Sequence, residues 1–161
     1  MGQFANTQQP PSGLPDLPGP LADWGTRFLG LLIDAGCVFV AALPFYLLTL
    51  VSGSPVGSLL TLIAALGVQI WFAVQIGSTG QSPGMRVAGV RCISLNTGQV
   101  LGDGMGVVRW LAMGLNSVIC YIGWLFPLWD AKKQTLGDMI VSTVVYVVPR
   151  QSFNLLPPST V

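Results

Sequence analysis

Along the middle of this chain apolar side chains run on without the polar breaks that mark a half-buried helix or strand. From Ala35 to Met85 no side chain is charged. One bilayer crossing takes about 20 residues, so this stretch holds two crossings and a turn. The turn falls at Ser52-Gly53-Ser54-Pro55, a cluster of helix breakers. The pattern predicts a helical hairpin, with one helix over about 26–51 and another over about 56–76. Pro44 lies inside the first and is expected to kink it. Trp24 and Trp71 lie near the predicted ends, where indole rings favour the membrane interface.

The pattern then changes. Residues 77–106 form a loop that carries Gly80-Gln81-Ser82-Pro83-Gly84, Arg86 and a β-branched run over 87–95 closed by Asn96-Thr97-Gly98. That run predicts a short strand at the membrane surface. A third apolar segment covers 107–129, interrupted by Arg109, Asn116, Gly123 and Pro127. It spans once or enters and returns as a re-entrant pair of short helices. A polar patch follows at Asp130, Lys132, Lys133, Gln134 and Asp138. Residues 141–148 are too few to span as a helix and predict a second surface strand, able to pair with the first. Residues 1–22 hold Pro10, Pro11, Pro15, Pro18 and Pro20 and are expected to be an extended, disordered tail. They show neither the basic nor the apolar region of a cleaved signal. Residues 150–161 are expected to be a second tail. The fold class is therefore all-α integral membrane, residues 23–149, with two short strands on its cytoplasmic part.

Basic residues set the expected orientation. The turn between the two hairpin helices has none, whereas Arg27 precedes the first and Arg86 and Arg91 follow the second. The positive-inside rule puts the N-terminus and loop 77–106 in the cytoplasm, with the chain in the plasma membrane. Lys132 and Lys133 ask for the same side. A single third crossing would put them outside, so the re-entrant path is preferred.

Composition agrees with the pattern. Apolar residues make up 52% and charged residues 8%, against about 25% charged in soluble proteins. The net charge of +1 gives no footprint for nucleic acid. There is no histidine and no glutamate. This removes histidine triads, histidine-ligated zinc and bis-histidine haem. Cys37, Cys92 and Cys120 form no CxxC pair. Cys37 and Cys120 lie in apolar stretches and read as small buried hydrophobes. No metal, cofactor or catalysis is expected.

The remaining charges need partners. Asp34 sits seven residues after Arg27, two turns along the same helix face. A carboxylate inside a spanning helix is costly and marks a functional or structural contact. Arg27, Arg109 and the Lys132/Lys133 pair are its candidate partners. Either Asp34 is a proton- or cation-responsive group on a solute path, or it belongs to a buried ion pair that fixes helix packing. The second reading is preferred, because few other polar groups, chiefly Gln69, Gln75 and Asn116, lie at membrane depth. The glycine-rich loop Gly80, Gln81, Pro83, Gly84 has no lysine at P-loop spacing, so a structured turn is expected rather than a phosphate cradle. Lys132-Lys133 is too short for a polybasic lipid switch.

Taken together these residues resemble the RDD family of membrane proteins. The likeness rests on Arg27, on Asp34, on Asp138 after Leu136-Gly137, and on two loop signatures, Gly80–Arg86 and Leu128–Asp138. It runs from about Trp24 to Val148. It implies a membrane fold, a role for the arginine and the two aspartates, and transport by analogy only. Met85 and Met139 stand where that family commonly carries basic residues, so the resemblance carries no implication of anion or headgroup binding. The expected function is a small, non-enzymatic accessory or assembly subunit of a larger membrane complex, of which a respiratory assembly is one case. Its partners would be the bilayer and other integral membrane proteins, met through helices and tails. The alternative is an oligomeric ion-coupled transporter using Asp34.

Overall fold

The computed structural model describes residues 14–118 and 124–148. Helix α1, Trp24–Ser52, starts where the Asp23 carboxylate accepts the Thr26 N–H at 2.8 Å. It runs through Pro44 and stops at Gly53, which takes a left-handed φ of 61°. Ser54 then caps α2, Pro55–Thr79, with proline in its first turn, where a missing N–H costs nothing. The expected hairpin is present, each helix a few residues longer than the hydrophobic pattern alone indicates. At 1.5 Å per residue α1 (29 residues) and α2 (25 residues) measure about 43 and 37 Å. Both are long and apolar enough to cross a membrane, whose hydrocarbon core is about 30 Å thick. Trp24 opens α1 as expected, whereas Trp71 lies inside α2 rather than near its end.

Most of the hairpin surface is uncovered. Val40, Leu47, Leu50, Leu59, Leu62 and Ile63 are all exposed. Cys37 is exposed among them, which corrects the expectation that it is a buried small hydrophobe. Between the helices the backbones close in at Gly57, where any side chain would strike Thr49.

After α2 the sequence reading needs a correction. The strand expected over 87–95 starts later, because Ser82 and Pro83 begin a short helix α3, Pro83–Ala88. The Ser82 hydroxyl accepts the Met85 N–H, and Gly89 ends the helix at φ 69°. Strand β1 is then Val90–Ser94. It pairs antiparallel with β2, Thr143–Val147, with Cys92 opposite Val145 and Ser94 opposite Thr143. The expected pairing of two short strands therefore holds.

The N-terminal segment joins this pair. The Ala22 N–H donates to the Val145 carbonyl at 2.9 Å, the Val147 N–H donates to the Pro20 carbonyl at 2.8 Å, and Leu21 bridges Tyr146. Extended chain over 14–22, expected to be part of a disordered tail, is thus held against the sheet, with Ala22 fully buried. One face of the pair packs Val90, Cys92 and Val145 with Ala22 against Ile76 and Met85. The other packs Ile93, Val144 and Tyr146 under Leu14, Leu17 and Leu21.

The third apolar segment is broken, as expected. Helix α4, Asp103–Val118, has 16 residues. At about 24 Å it is shorter than the hydrocarbon core. A 3-10 turn lies at Phe126–Leu128, then α5, Leu136–Ile140, capped by Thr135. Helix α4 lies on α2 where Gly106 meets the Ala73 carbonyl and Gly77, an approach that no side chain at 106 would permit. Cys120, residues 119–123 of the third segment, and tail residues 1–13 and 149–161 lie outside the described residues.

Candidate functional site

Helix α5 is five residues long and exists largely to place one side chain. Thr135 and Asp138 form a capping box: the Thr135 hydroxyl accepts the Asp138 N–H, and the Asp138 carboxylate accepts the Thr135 N–H at 3.2 Å. This fixes the Asp138 carboxylate, which is 0% exposed, between two arginines. Arg27 Nη1 from α1 reaches Oδ2 at 2.7 Å. Arg109 from α4 reaches Oδ1 with Nη2 at 2.7 Å and with Nε at 3.1 Å. The Thr143 hydroxyl on β2 donates to Oδ1 at 3.1 Å. One carboxylate thereby ties α1, α4, α5 and β2 together. Burial alone would raise its pKa, but the Arg109 and Arg27 guanidiniums outweigh that and hold it down at about 2.

Charge in this knot does not balance. Two guanidiniums meet one carboxylate. Arg27 has a side chain only 7% exposed, and its Nη2 has no hydrogen-bond partner among the described residues. Its Nε donates to the Ala22 carbonyl at 3.3 Å.

Asp34 is placed elsewhere, which corrects the expectation of a cationic partner. Its Oδ1 accepts the Gly84 N–H at 2.8 Å, and its Oδ2 accepts the Ser82 hydroxyl. The loop reaches it because Gly84 and Gly30 let α3 lie directly on α1; a side chain at 84 would overlap the Gly30 carbonyl. Donors from the loop thus replace the guanidinium that spacing along one helix suggested. Asp34 and Arg27 still line the same cavity.

The other loop residues serve the same seat. Gly80 ends α2 at φ 76°, the Gln81 side-chain amide donates to the Val90 carbonyl at 2.8 Å, and Pro83 opens α3. Arg86 is exposed and donates to Gln75 Oε1 at 3.0 Å. Of the polar patch, Asp138 forms the knot, whereas Asp130, Lys132 and Lys133 stay outside it. Asp130 accepts the Gln134 N–H at 2.8 Å in a turn, where Lys133 adopts φ 50° and Lys132 is partly exposed. Sequence reasoning missed Thr135, Thr143 and Ser82. Thr135 was readable as a Thr-x-x-Asp capping box and Ser82 as a cap before proline. Thr143 had no local signal, since only strand pairing carries it to Asp138.

A cavity of about 550 Å³ opens beside the knot, lined by the charged Arg27, Asp34 and Arg109 and by the apolar Val38, Phe39 and Phe72 among others. A second hollow of about 680 Å³ shares Leu31, Gln69 and Trp110 with it. Trp110 Nε1 donates to Gln69 Oε1 at 3.2 Å across their common wall.

A family model described as RDD family matches residues 21–142, a range that contains the knot, the loop and the hairpin. The proline-rich antigen homolog of Mycobacterium tuberculosis (strain H37Rv) is 45% identical over 83 residues, covering 51% of this chain and 35% of that protein. The proline-rich antigen of Mycobacterium leprae is 48% identical over 83 residues, covering 51% of this chain and 33% of that protein. The chain thus spans about a third of the length of the curated relatives it matches. No solved structure matches it.

Proposed function

The chain belongs to the RDD family, and from that premise we propose that it is a polytopic membrane protein acting as a non-enzymatic accessory or assembly subunit beside other integral membrane proteins. One observation carries this reading. Asp34, the one carboxylate within α1 and α2, has both oxygens engaged by the 82–84 loop. A carboxylate that cycles ions must exchange partners, whereas this one clamps a loop to a helix. The outward apolar faces of α1 and α2 are suited to lipid and to neighbouring helices. In this arrangement the N-terminus and loop 77–106 lie in the cytoplasm of a cell with a plasma membrane. The third apolar segment, 107–129, enters and returns rather than crossing once, a reading favoured by an α4 of 16 residues, which falls short of a full crossing.

A second reading is an oligomeric ion-coupled carrier. It is favoured by one fact, that Asp34 lines a cavity with Arg27 and Arg109. Purification from native membranes in mild detergent separates the two. Stoichiometric co-purification with a larger membrane complex is expected. A homo-oligomer whose reconstituted ion flux vanishes in Asp34→Asn would overturn the accessory role.

A further inference from the structure

Helix α2 backs a cleft that α1 and α4 flank. Helix α1 packs on α2 and α3, and α4 packs on α2 and α5. Between α1 and α4 lies the cavity of about 550 Å³, joined through shared walls to the second hollow. This volume falls in the range of about 300–1,000 Å³ typical of small-ligand sites. Its wall is mostly aliphatic and aromatic, and its charged lining residues are Arg27 and Arg109 of the knot and Asp34 on α1.

We propose that this cleft holds one anionic bilayer lipid, with its phosphate on Arg27 and an acyl chain along Leu31, Val38, Phe39 and Phe72. Three observations support it. First, Arg27 Nη2 is buried and lacks an acceptor among the described residues. A buried N–H on a charged group is costly to leave unpaired, so the site asks for an acceptor oxygen. Second, the knot carries one positive charge in excess, because Asp138 alone faces both Arg27 and Arg109. Asp34 keeps its negative charge while the Ser82 hydroxyl and the Gly84 N–H hold its oxygens, but it stands seven residues, about 10 Å, along α1 from Arg27, so the excess positive charge is local to the knot. Third, most of the remaining lining is apolar, with Leu31, Val38, Phe39 and Phe72 beside Asp34 and Gln69. An inorganic anion would satisfy Arg27 and leave the wall bare. A hydrocarbon chain would cover the wall and leave Arg27 unmet. A phospholipid does both at once. No bond forms or breaks; the site is one of retention, and it does not depend on which partner the protein joins.

The test uses the full chain reconstituted in vesicles of equimolar phosphatidylglycerol and phosphatidylcholine, then extracted in mild detergent for native mass spectrometry. One phosphatidylglycerol per chain is expected to stay bound, preferred over phosphatidylcholine by roughly tenfold or more, the scale of one charge-assisted hydrogen bond. Arg27→Gln should release it. That variant also breaks the pair with Asp138, so Val38→Trp provides a second arm, filling the cleft without touching the knot. It should lose the lipid and keep the wild-type unfolding transition, while Leu62→Trp on the outer face should keep both. Equal retention of the two lipids overturns the proposal. So does lipid binding indifferent to Val38→Trp. Displacement by inorganic phosphate alone would make this a free-anion site and overturn it too. A lipid-free dimer that Val38→Trp dissociates would place a second copy's helix in the cleft instead.

Discussion

In the hairpin, α1 and α2 turn Leu50, Val51, Leu59 and Ile63 outward and bury little of their own surface. In the cap built from α3, α5 and the strand pair, Ser82, Gln134, Thr135, Asp138 and Thr143 lie inside. The two regions invert the usual soluble arrangement, and the reason is the solvent each suits. Lipid is as apolar as leucine, so hydrophobic burial does not drive helices together there. Close backbone approach and polar ties must do so. The close approaches are Gly57 on Thr49, Gly77 on Gly106 and Gly30 on Gly84. The ties are Asp138 with its two arginines and Asp34 with its loop.

The contrast breaks most sharply at Asp138. Asp138→Leu leaves two buried guanidiniums without their carboxylate and should destabilise the protein by about 3–5 kcal/mol. Thermal unfolding in detergent reads this directly. Undiminished stability would mean that water or lipid already satisfies the arginines.

Acid probes the same residue reversibly. The folded pKa of about 2 lies below the ordinary value of 3.8, so the native state favours the ionised form. The stabilisation is complete above about pH 4 and disappears as pH falls through about 2. The difference amounts to about 2 kcal/mol, given 1.36 kcal/mol per pKa unit. Unfolding followed between pH 5 and pH 2 should show this decline, and Asp138→Asn should flatten it. An equal slope in the variant would assign the acid sensitivity to other carboxylates.

The smallest effect belongs to the hairpin surface. Leu62→Ala removes an outward side chain and should change stability in detergent by no more than about 0.5 kcal/mol. A loss of several times that amount would show that α2 is covered by another part of the protein or by a second copy.

How much of this was readable beforehand follows the same division. The hairpin was legible because its signal is local: an uncharged run, a Ser-Gly-Ser-Pro turn and enough length for two crossings. The two strands were legible as β-branched runs, and their pairing was anticipated. The pattern over 87–95 starts the first strand three residues early, because Val87 and Ala88 belong to α3 behind its Ser82-Pro83 cap and Gly89 ends that helix. The knot was legible in membership but not in connection. Arg27, Arg109 and Asp138 were each singled out, yet Asp34 was grouped with them by spacing along one helix. Its actual partners, Ser82 and Gly84, lie 48 and 50 residues away in sequence and reach it only through the glycine contact between α1 and α3. Long-range geometry of that kind leaves no local pattern.

The central claim is that the charges of this module are structural ties. A double-mutant cycle between Arg109 and Asp138 tests it most directly, read as unfolding free energy in detergent for Arg109→Met, Asp138→Leu and the pair. The double variant removes a buried guanidinium together with its counter-charge. It should recover about 1–3 kcal/mol relative to the sum of the single losses, the coupling of residues in contact. Simple additivity would contradict the account, because it would mean that the two side chains do not hold each other in the folded protein.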